Sequence, residues 1–281
     1  MKILLTGSTG FIGSNLLDEL TKKNLVYLIV RKKKYINTKY KKYIHFKSYD
    51  ELNKKIKKIK VDVVIHCATH YTKNHKSEDI KKFVNSNILF GNIILENLQI
   101  MKVKKFINFS TVWEDYNSIK NNYRNLYATY KKSFSNILNF YTKQYPNIKF
   151  YNLMISETFG KNDSRNKIIN VLKLNYKKNL VTKIISNRLY LNLINIEDIT
   201  NAIKLILQKK IKPGKYVLKN NKYLSISKLI NSFNRKYKPH IKIHWLSKKK
   251  LLEKIYPYKS IKSWKPEKSN ISDLINTIKN T

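Results

Sequence analysis

The chain predicts an α/β fold, a doubly wound parallel sheet with a smaller C-terminal lobe, on three observations. An apolar stretch, Ile3 to Thr6, runs directly into glycines at 7, 10 and 13 and then into helical sequence from Phe11 to Leu20. Beyond it, as far as residue 154, short apolar runs alternate with amphipathic stretches across short connections, the pattern of parallel strands covered on both faces by helices. At 281 residues the chain can bury the core of one large domain, or of a domain and a lobe.

The first element sets the expectation for a ligand. Ile3 to Thr6 lacks the alternation of a half-exposed strand, as a strand buried on both faces should. A strand, a glycine turn and a helix are what a dinucleotide pyrophosphate requires: a tight turn, close backbone approach and the N–H groups of a helix N-terminus. The candidate cofactor segment is Gly7-Ser8-Thr9-Gly10-Phe11-Ile12-Gly13. Gly7 and Gly10 permit the approach, and Gly13 lets the helix pack on the strand. A glycine-rich surface turn is the plainer alternative, and the position between strand and helix argues against it.

Leu25 to Val30 is the second strand, and its end is where such a fold meets the adenosine ribose. Val30-Arg31-Lys32-Lys33-Lys34 follows, with no acid to receive a free 2′-hydroxyl. Arg31 and Lys32 suit a 2′-phosphate, which favours NADP over NAD. That this is one more lysine run is the competing reading. Tyr43 to Phe46 is a third strand, Asp50 to Lys58 a polar helix, and Val61 to Cys67 a strongly apolar fourth strand. His66 ends that strand and reads as a core histidine. His70 and His75 have no metal-ligand company, so no metal site is expected.

Asp79 to Met101 carries apolar residues at helical spacing, with Asn87 inside it, where asparagine is a poor helix former and a functional role is open. Lys104 to Ser110 is a fifth strand ending at Thr111, Asn125 begins a helix to Gln144, and Phe150 to Met154 is a sixth strand. The glycine turn, His66 and Thr111 all fall at the carboxyl ends of strands, where ligands of such sheets bind. Tyr127 and Lys131 stand four apart on one helix face. A lysine beside a phenol favours phenolate, so this tyrosine can exchange a proton with a sugar hydroxyl or a ketone. Thr111 is placed to hydrogen-bond the reacting oxygen. Tyr123 and Tyr130 lack a lysine four residues on.

The formal net charge is +41, from 58 basic and 17 acidic residues. Such a balance invites a polyanion or anionic membrane. Only five of the basic residues are arginine, and the lysines are spread along the chain, so solvated faces account for them better than a nucleic-acid site. A negatively charged small substrate fits the same surface. One cysteine, Cys67, in an apolar run, reads as a core thiol in a reducing, cytoplasmic setting. Met1 enters a strand at once, so no secretory leader is expected, and no apolar run is long enough for membrane insertion.

Gly7-Ser-Thr-Gly-Phe-Ile-Gly13, Asp62-Val-Val-Ile-His-Cys-Ala68, Ser110-Thr111 and Tyr127-x-x-x-Lys131 together resemble the extended short-chain dehydrogenase/reductases, and more narrowly the NAD(P)-dependent nucleotide-sugar epimerase/dehydratase family. Thr158 to Arg165, Leu193 to Asp198 and Trp264-Lys-Pro266 resemble later segments of that family, so the likeness spans nearly the whole chain. It implies a seven-stranded Rossmann domain with a C-terminal substrate lobe, drawn at 1–160 with 184–210 returning to it, and 161–183 with 211–281. It also implies Tyr127 as acid/base, Lys131 as its partner and ribose anchor, Thr111 as orienting hydroxyl and Asn87 as a supporting active-site residue. Pairing of two copies through helices 79–101 and 125–144 is a further implication.

Departures from the family pattern sharpen the expectation. Dehydratases of this family place an Asp-Glu pair directly after the threonine. Here Val112-Trp113 intervene before Glu114-Asp115, which counts against dehydration. Glu157 stands where many relatives have a substrate-facing asparagine, and Asn195 replaces a common histidine. Arg165 is a candidate diphosphate ligand or a solvated helix-start residue, at the head of a helix expected from Asn162 to Lys177. Asp198 is expected to cap the helix that follows it, Ser225 the helix to Arg235, and Ser269 or Ser272 the last one. The sequence therefore predicts C4 epimerisation of a nucleotide-diphosphate sugar or reduction of its 4-keto form. The alternative is a non-catalytic dinucleotide-binding protein with a basic, RNA- or polyanion-binding surface.

Overall fold

The computed structural model describes residues 1–31, 37–209 and 211–279. In chain order the first part comprises β1 (Lys2–Thr6), α1 (Phe11–Leu20), β2 (Leu25–Val30), β3 (Lys41–His45), α2 (Tyr49–Ile56), β4 (Val63–His66), α3 (Asp79–Phe83), α4 (Phe90–Glu96), β5 (Lys105–Thr111), α5 (Leu126–Gln144) and β6 (Lys149–Ile155). Between α3 and α4, Val84–Leu89 is a single π-helical stretch, and Val112–Ser118 after β5 is a 3-10 segment. The second part adds β7 (Glu157–Phe159), α6 (Ile168–Lys177), β8 (Thr182–Ile184), β9 (Leu189–Leu191), β10 (Leu193–Asn195), α7 (Ile196–Gln208), β11 (Gly214–Leu218), β12 (Leu224–Ser225), α8 (Ile226–Lys236), β13 (Ile243–Trp245), β14 (Leu251–Leu252) and α9 (Ile271–Lys279).

Seven strands form one sheet in the order β11-β6-β5-β4-β1-β2-β3. The order reverses beside β1, the switch point at which open α/β sheets bind ligands. β1 pairs in parallel with β2 and with β4, and β4 with β5. Register places Thr6 beside His66 and His66 beside Asn108. The carboxyl ends of β1, β4 and β5 thus lie at one margin of the sheet, with Gly7 after β1, Cys67-Ala68 after β4 and Phe109 to Thr111 closing β5. Their strands are buried because helices cover both faces. One apolar cluster joins Leu4, Val64 and Phe106 with Leu52 of α2, Ile94 and Leu95 of α4, and Phe134 and Leu138 of α5.

The chain divides into two compact units, Met1–Met154 with Lys210–Tyr216 and Tyr256–Lys259, and Ile155–Lys209 with Val217–Ile255 and Ser260–Thr281. The sequence boundaries differ: they returned 184–210 to the dinucleotide domain and gave 211–281 to the lobe. Residues 184–209 instead carry β10, which pairs with β7, and α7. The seventh strand of the sheet is β11, beside β6. The second unit has its own core, in which Phe159, Leu172, Leu193, Leu229, Phe233 and Leu274 are buried together.

Side-chain caps begin α5, α7 and α8, and three expectations change. Asn125 caps α5 through Oδ1 to the Ala128 N–H (3.1 Å), and Ser225 caps α8 through the Lys228 N–H (3.3 Å). α7 is capped by Asn195, whose Oδ1 takes the Glu197 N–H at 3.0 Å, not by Asp198. Asp198 sits inside the first turn, 1% exposed, and its carboxylate accepts the N–H of Glu267 (2.8 Å), the N–H of Lys268 (3.1 Å) and the Ser269 hydroxyl (2.5 Å). Ser269 is thereby taken, and Asn270 accepts the Asp273 N–H at the head of α9 (3.0 Å). The expected helix from Asn162 begins only at Ile168. Asn162 has φ +60°, and Asp163 Oδ1 accepts the Arg165 backbone N–H at 3.1 Å, a local bond that competes with helix formation.

Candidate active site

Strand β1 ends in a turn whose three glycines answer to three different constraints. Gly7 has φ +67°, and a Cβ there would lie 2.6 Å from the Ala68 nitrogen. Only glycine fits between the turn and the chain leaving β4. At Gly13 a Cβ would come within 2.1 Å of the Gly7 oxygen, so its absence lets α1 pack on the turn. At Gly10 a Cβ would meet only the Gly7 oxygen among the described residues, at 3.4 Å, an ordinary contact. Among the described residues nothing demands glycine at position 10. α1 starts at this residue with no side-chain cap and no acid in its first turn. A cradle open at Gly10, at the head of an uncapped helix, fits a dinucleotide pyrophosphate. Thr9 is exposed, and Phe11 and Ile12 are half-buried in that first turn.

Arg31 follows β2 directly and is exposed. Its charge acts on the Tyr49 phenol, which burial raises and Arg31 lowers, with burial dominant. Lys32 lies outside the described residues.

His66 is a core residue, as the sequence suggested. The Ala68 N–H donates to Thr6 Oγ1 (3.1 Å), and that hydroxyl is hydrogen-bonded to Nδ1 of the His66 ring (3.0 Å). The rings of Phe90, Phe106 and Phe134 surround it. Burial pushes its pKa down to about 3, aided by the Lys131 charge. Burial likewise pushes the Cys67 thiol up, which makes it a poor nucleophile.

Lys131 projects from α5 to the end of β5, 5% exposed, and its Nζ donates to the Phe109 carbonyl at 2.7 Å. Burial pushes its pKa down to about 8, against the opposing pull of Glu114. Thr111, two residues past Phe109, is buried, and its Oγ1 accepts the Trp113 N–H at 3.3 Å. Tyr127 is half-buried one turn before Lys131. Its ring meets Tyr71 edge to face, centroids 5.0 Å apart, and Tyr71 lies 6.2 Å from Trp113. Through these contacts Thr111, Tyr127 and Lys131 share the edge of the sheet to which the glycine turn belongs. Tyr130, by contrast, stacks on Phe83 at 5.1 Å.

Asn87 lies in the π-helical stretch, buried, with its amide committed to the chain after β4. Oδ1 accepts the His70 N–H (2.6 Å) and the Thr69 hydroxyl (3.2 Å), and Nδ2 donates to the His70 carbonyl (3.0 Å). It fixes the loop that carries Tyr71. In the second unit, Glu157 pairs with Lys167 at 3.0 Å. Arg165 donates through Nε and Nη2 to both oxygens of Asp163 (2.7 and 2.8 Å) and through Nη2 to the Thr158 hydroxyl (2.9 Å). These bonds hold Arg165 within the 158–165 turn.

Tyr71, Trp113 and Arg124 escaped the sequence reading. Arg124 lies over the Trp113 ring at 4.2 Å, and neither its charge nor any spacing advertises that placement. Among the described residues no cluster of histidine, cysteine and carboxylate side chains could hold a metal, and no helix is long and apolar enough to cross a membrane.

The fold and the glycine turn at its switch point together define a dinucleotide-binding α/β protein. Residues 3–218 match the NAD dependent epimerase/dehydratase family, and the chain belongs to it. It is 32% identical to CDP-abequose synthase of Yersinia pseudotuberculosis over 233 residues, 80% of this chain and 78% of that one. The Salmonella muenchen protein of the same name is 27% identical over 76% of this chain and 73% of its own. Among solved structures, UDP-N-acetylglucosamine 4-epimerase from Methanobrevibacter ruminantium superposes with a TM-score of 0.80 at 19% identity, covering 99% of this chain and 97% of that one. UDP-glucuronic acid 4-epimerase from Bacillus cereus, solved with NAD, gives 0.79 at 20% identity, covering 99% and 94%. At that identity the two structures establish a shared fold.

Proposed function

We propose that this protein reduces the 4-keto group of a nucleotide-diphosphate sugar and takes NADPH in preference to NADH. The reading is supported by Tyr127 and Lys131 standing one turn apart on α5, with Lys131 Nζ bonded to the Phe109 carbonyl two residues before Thr111. In this reading the Tyr127 hydroxyl gives its proton to the carbonyl oxygen, and the Lys131 charge favours the phenolate left behind. Thr111 holds the same oxygen, and Lys131 doubles as the ribose anchor. The nicotinamide, when bound, supplies the hydride. Gly7, Gly10 and Gly13, with the first turn of α1, receive the pyrophosphate, and Arg31 receives the 2′-phosphate.

Reduction is favoured over C4 epimerisation by two findings. The likeness to CDP-abequose synthase, at 32% identity, is stronger than that to the two 4-epimerases, at 19% and 20%. Arg31, with no acid at the end of β2, suits a cofactor consumed as NADPH. Dehydration is disfavoured because Glu114 and Asp115 are fully buried and engaged by other side chains, Glu114 by Ser135 and Asp115 by Tyr258. Glu157 is the proposed sugar-side contact, and Asn87 supports the site through the Tyr71 loop. Two copies are proposed to pair through α4 and α5, where Phe140 is 61% exposed.

Fluorescence titration with NADPH and NADH, on the native protein, Arg31→Ala and Tyr127→Phe, tests this directly. The expected result is tighter NADPH binding, loss of that preference in Arg31→Ala, and normal binding by Tyr127→Phe. Equal or better NADH binding would make Arg31 ordinary surface charge and favour the epimerase. Failure of both cofactors to bind would overturn the enzyme reading in favour of a polyanion-binding surface, whose binding collapses as salt rises.

A further inference from the structure

A chain of buried polar side chains runs beside Lys131, and the chemistry above leaves it unexplained. Its centre is Glu114, 0% exposed. The Glu114 carboxylate accepts the Ser110 hydroxyl, the Ser135 hydroxyl (2.9 Å) and the Lys215 ammonium (3.3 Å). Asn152 donates to Ser135 Oγ (3.0 Å), and Asn108 donates to Asn152 (2.8 Å). Burying a carboxylate is costly unless it is paired and fully hydrogen-bonded, so a chain retains one where it serves something.

The contacts show what it touches. Ser110 immediately precedes Thr111 at the end of β5 and follows Phe109, whose carbonyl holds Lys131 Nζ. Ser135 lies one turn along α5 from Lys131. A single carboxylate therefore ties the strand that carries Thr111 to the helix that carries Tyr127 and Lys131. Lys131 itself bonds a carbonyl, and the carboxylate whose charge acts on it is Glu114. Resting on the functional reading above, we propose that Glu114 is a positioning residue that fixes β5 against α5 and keeps the buried Lys131 a cation beside Tyr127.

Other charges bear on this pair. Cys67 faces Lys131 from the chain after β4, and neutral His66 lies at the end of β4. Lys215 faces Glu114 and also bonds the Tyr258 hydroxyl (2.9 Å), which in turn donates to Asp115. Lys132 lies 3.9 Å from Asp115. Lys215 thus shares the Glu114 charge with Lys131. Removing Glu114 should make Lys131 lose its proton at lower pH, and removing Lys215 should do the opposite.

The test is the pH titration of the Lys131 Nζ resonance in 15N-lysine protein, identified by its absence in Lys131→Arg. Glu114→Gln, which keeps hydrogen-bonding capacity, should move the midpoint down by about one pH unit. Lys215→Gln, at a half-buried site, should move it up. Midpoints that stay put, or move together, overturn the proposal. Should Glu114→Gln fail to fold, Lys215→Gln decides alone: a rise supports the role and an unchanged midpoint refutes it. The readout needs no substrate, so a native protein inactive on every nucleotide sugar would refute the functional reading while leaving Glu114 to be judged by titration.

Discussion

Substituting alanine at Gly13 and at Gly10 separates a glycine the fold needs from one the ligand needs. At Gly13 the new Cβ would sit 2.1 Å from the Gly7 oxygen, 2.7 Å from the Gly7 carbon and 3.0 Å from Ser8 Cα. All three are backbone, and Gly7 is itself locked at φ +67° against Cys67 and Ala68, so the turn has nowhere to retreat. Overpacking by one methyl against backbone costs about 3 kcal/mol, and alanine returns about 1 kcal/mol of helix propensity. Gly13→Ala should therefore lose about 2 kcal/mol of stability. At Gly10 the backbone, φ −86° and ψ 168°, suits any residue, and the single contact is 3.4 Å. Gly10→Ala should stay within about 1 kcal/mol of the native protein, a loss set by alanine's weakness as a helix cap. It should nevertheless weaken cofactor binding at least about tenfold, because its methyl enters the space left for the pyrophosphate. Urea unfolding and fluorescence titration of both variants measure these quantities. A Gly13→Ala protein as stable as the native one, or a Gly10→Ala protein with native affinity, would refute the reasoning.

Three further outcomes follow from two buried groups, Asp198 and His66, and one half-buried group, Arg165. Asp198→Asn removes a carboxylate that receives two backbone N–H groups and the Ser269 hydroxyl, and should cost about 2–3 kcal/mol in urea unfolding. His66 is held neutral, with a folded pKa of about 3 against an ordinary value of 6.5, so the unfolded chain binds the extra proton between those values. Stability should therefore fall as pH drops below 6.5, with a His66 share of at most about 1.4 kcal/mol per pH unit, and His66→Gln should flatten the slope. Arg165→Ala should lower stability by about 1–2 kcal/mol by releasing Asp163 and Thr158, with cofactor affinity unchanged in the same titration.

What was legible in the sequence is what depends on neighbours along the chain. The β1–turn–α1 unit, β2 from Leu25 to Val30 and the start of α5 at Asn125 each declare themselves within a few residues. Tyr127 and Lys131 are legible as a pair because helical spacing alone puts them on one face. Errors came where two local choices compete. Asn195 and Asp198 both suit a helix cap, and the end of β10 at Asn195 decides for the first. The bonds among Asp163, Arg165 and Thr158 displace a helical turn that composition favours. The unbroken apolar spacing from Asp79 gave no sign of the π-helical stretch at Val84–Leu89, which brings Asn87 to the Tyr71 loop. Least visible is the Glu114 network. Lys215 is 101 residues from Glu114 and Tyr258 is 143 from Asp115, and no periodicity links positions so far apart.

The most direct test of the functional account is to follow NADPH absorbance when the native protein meets a nucleotide-diphosphate 4-keto sugar. The account predicts one NADPH oxidised for each 4-hydroxy sugar formed, and none in Tyr127→Phe. Inversion of a 4-hydroxy sugar nucleotide with no net change in cofactor would contradict it and make the enzyme an epimerase.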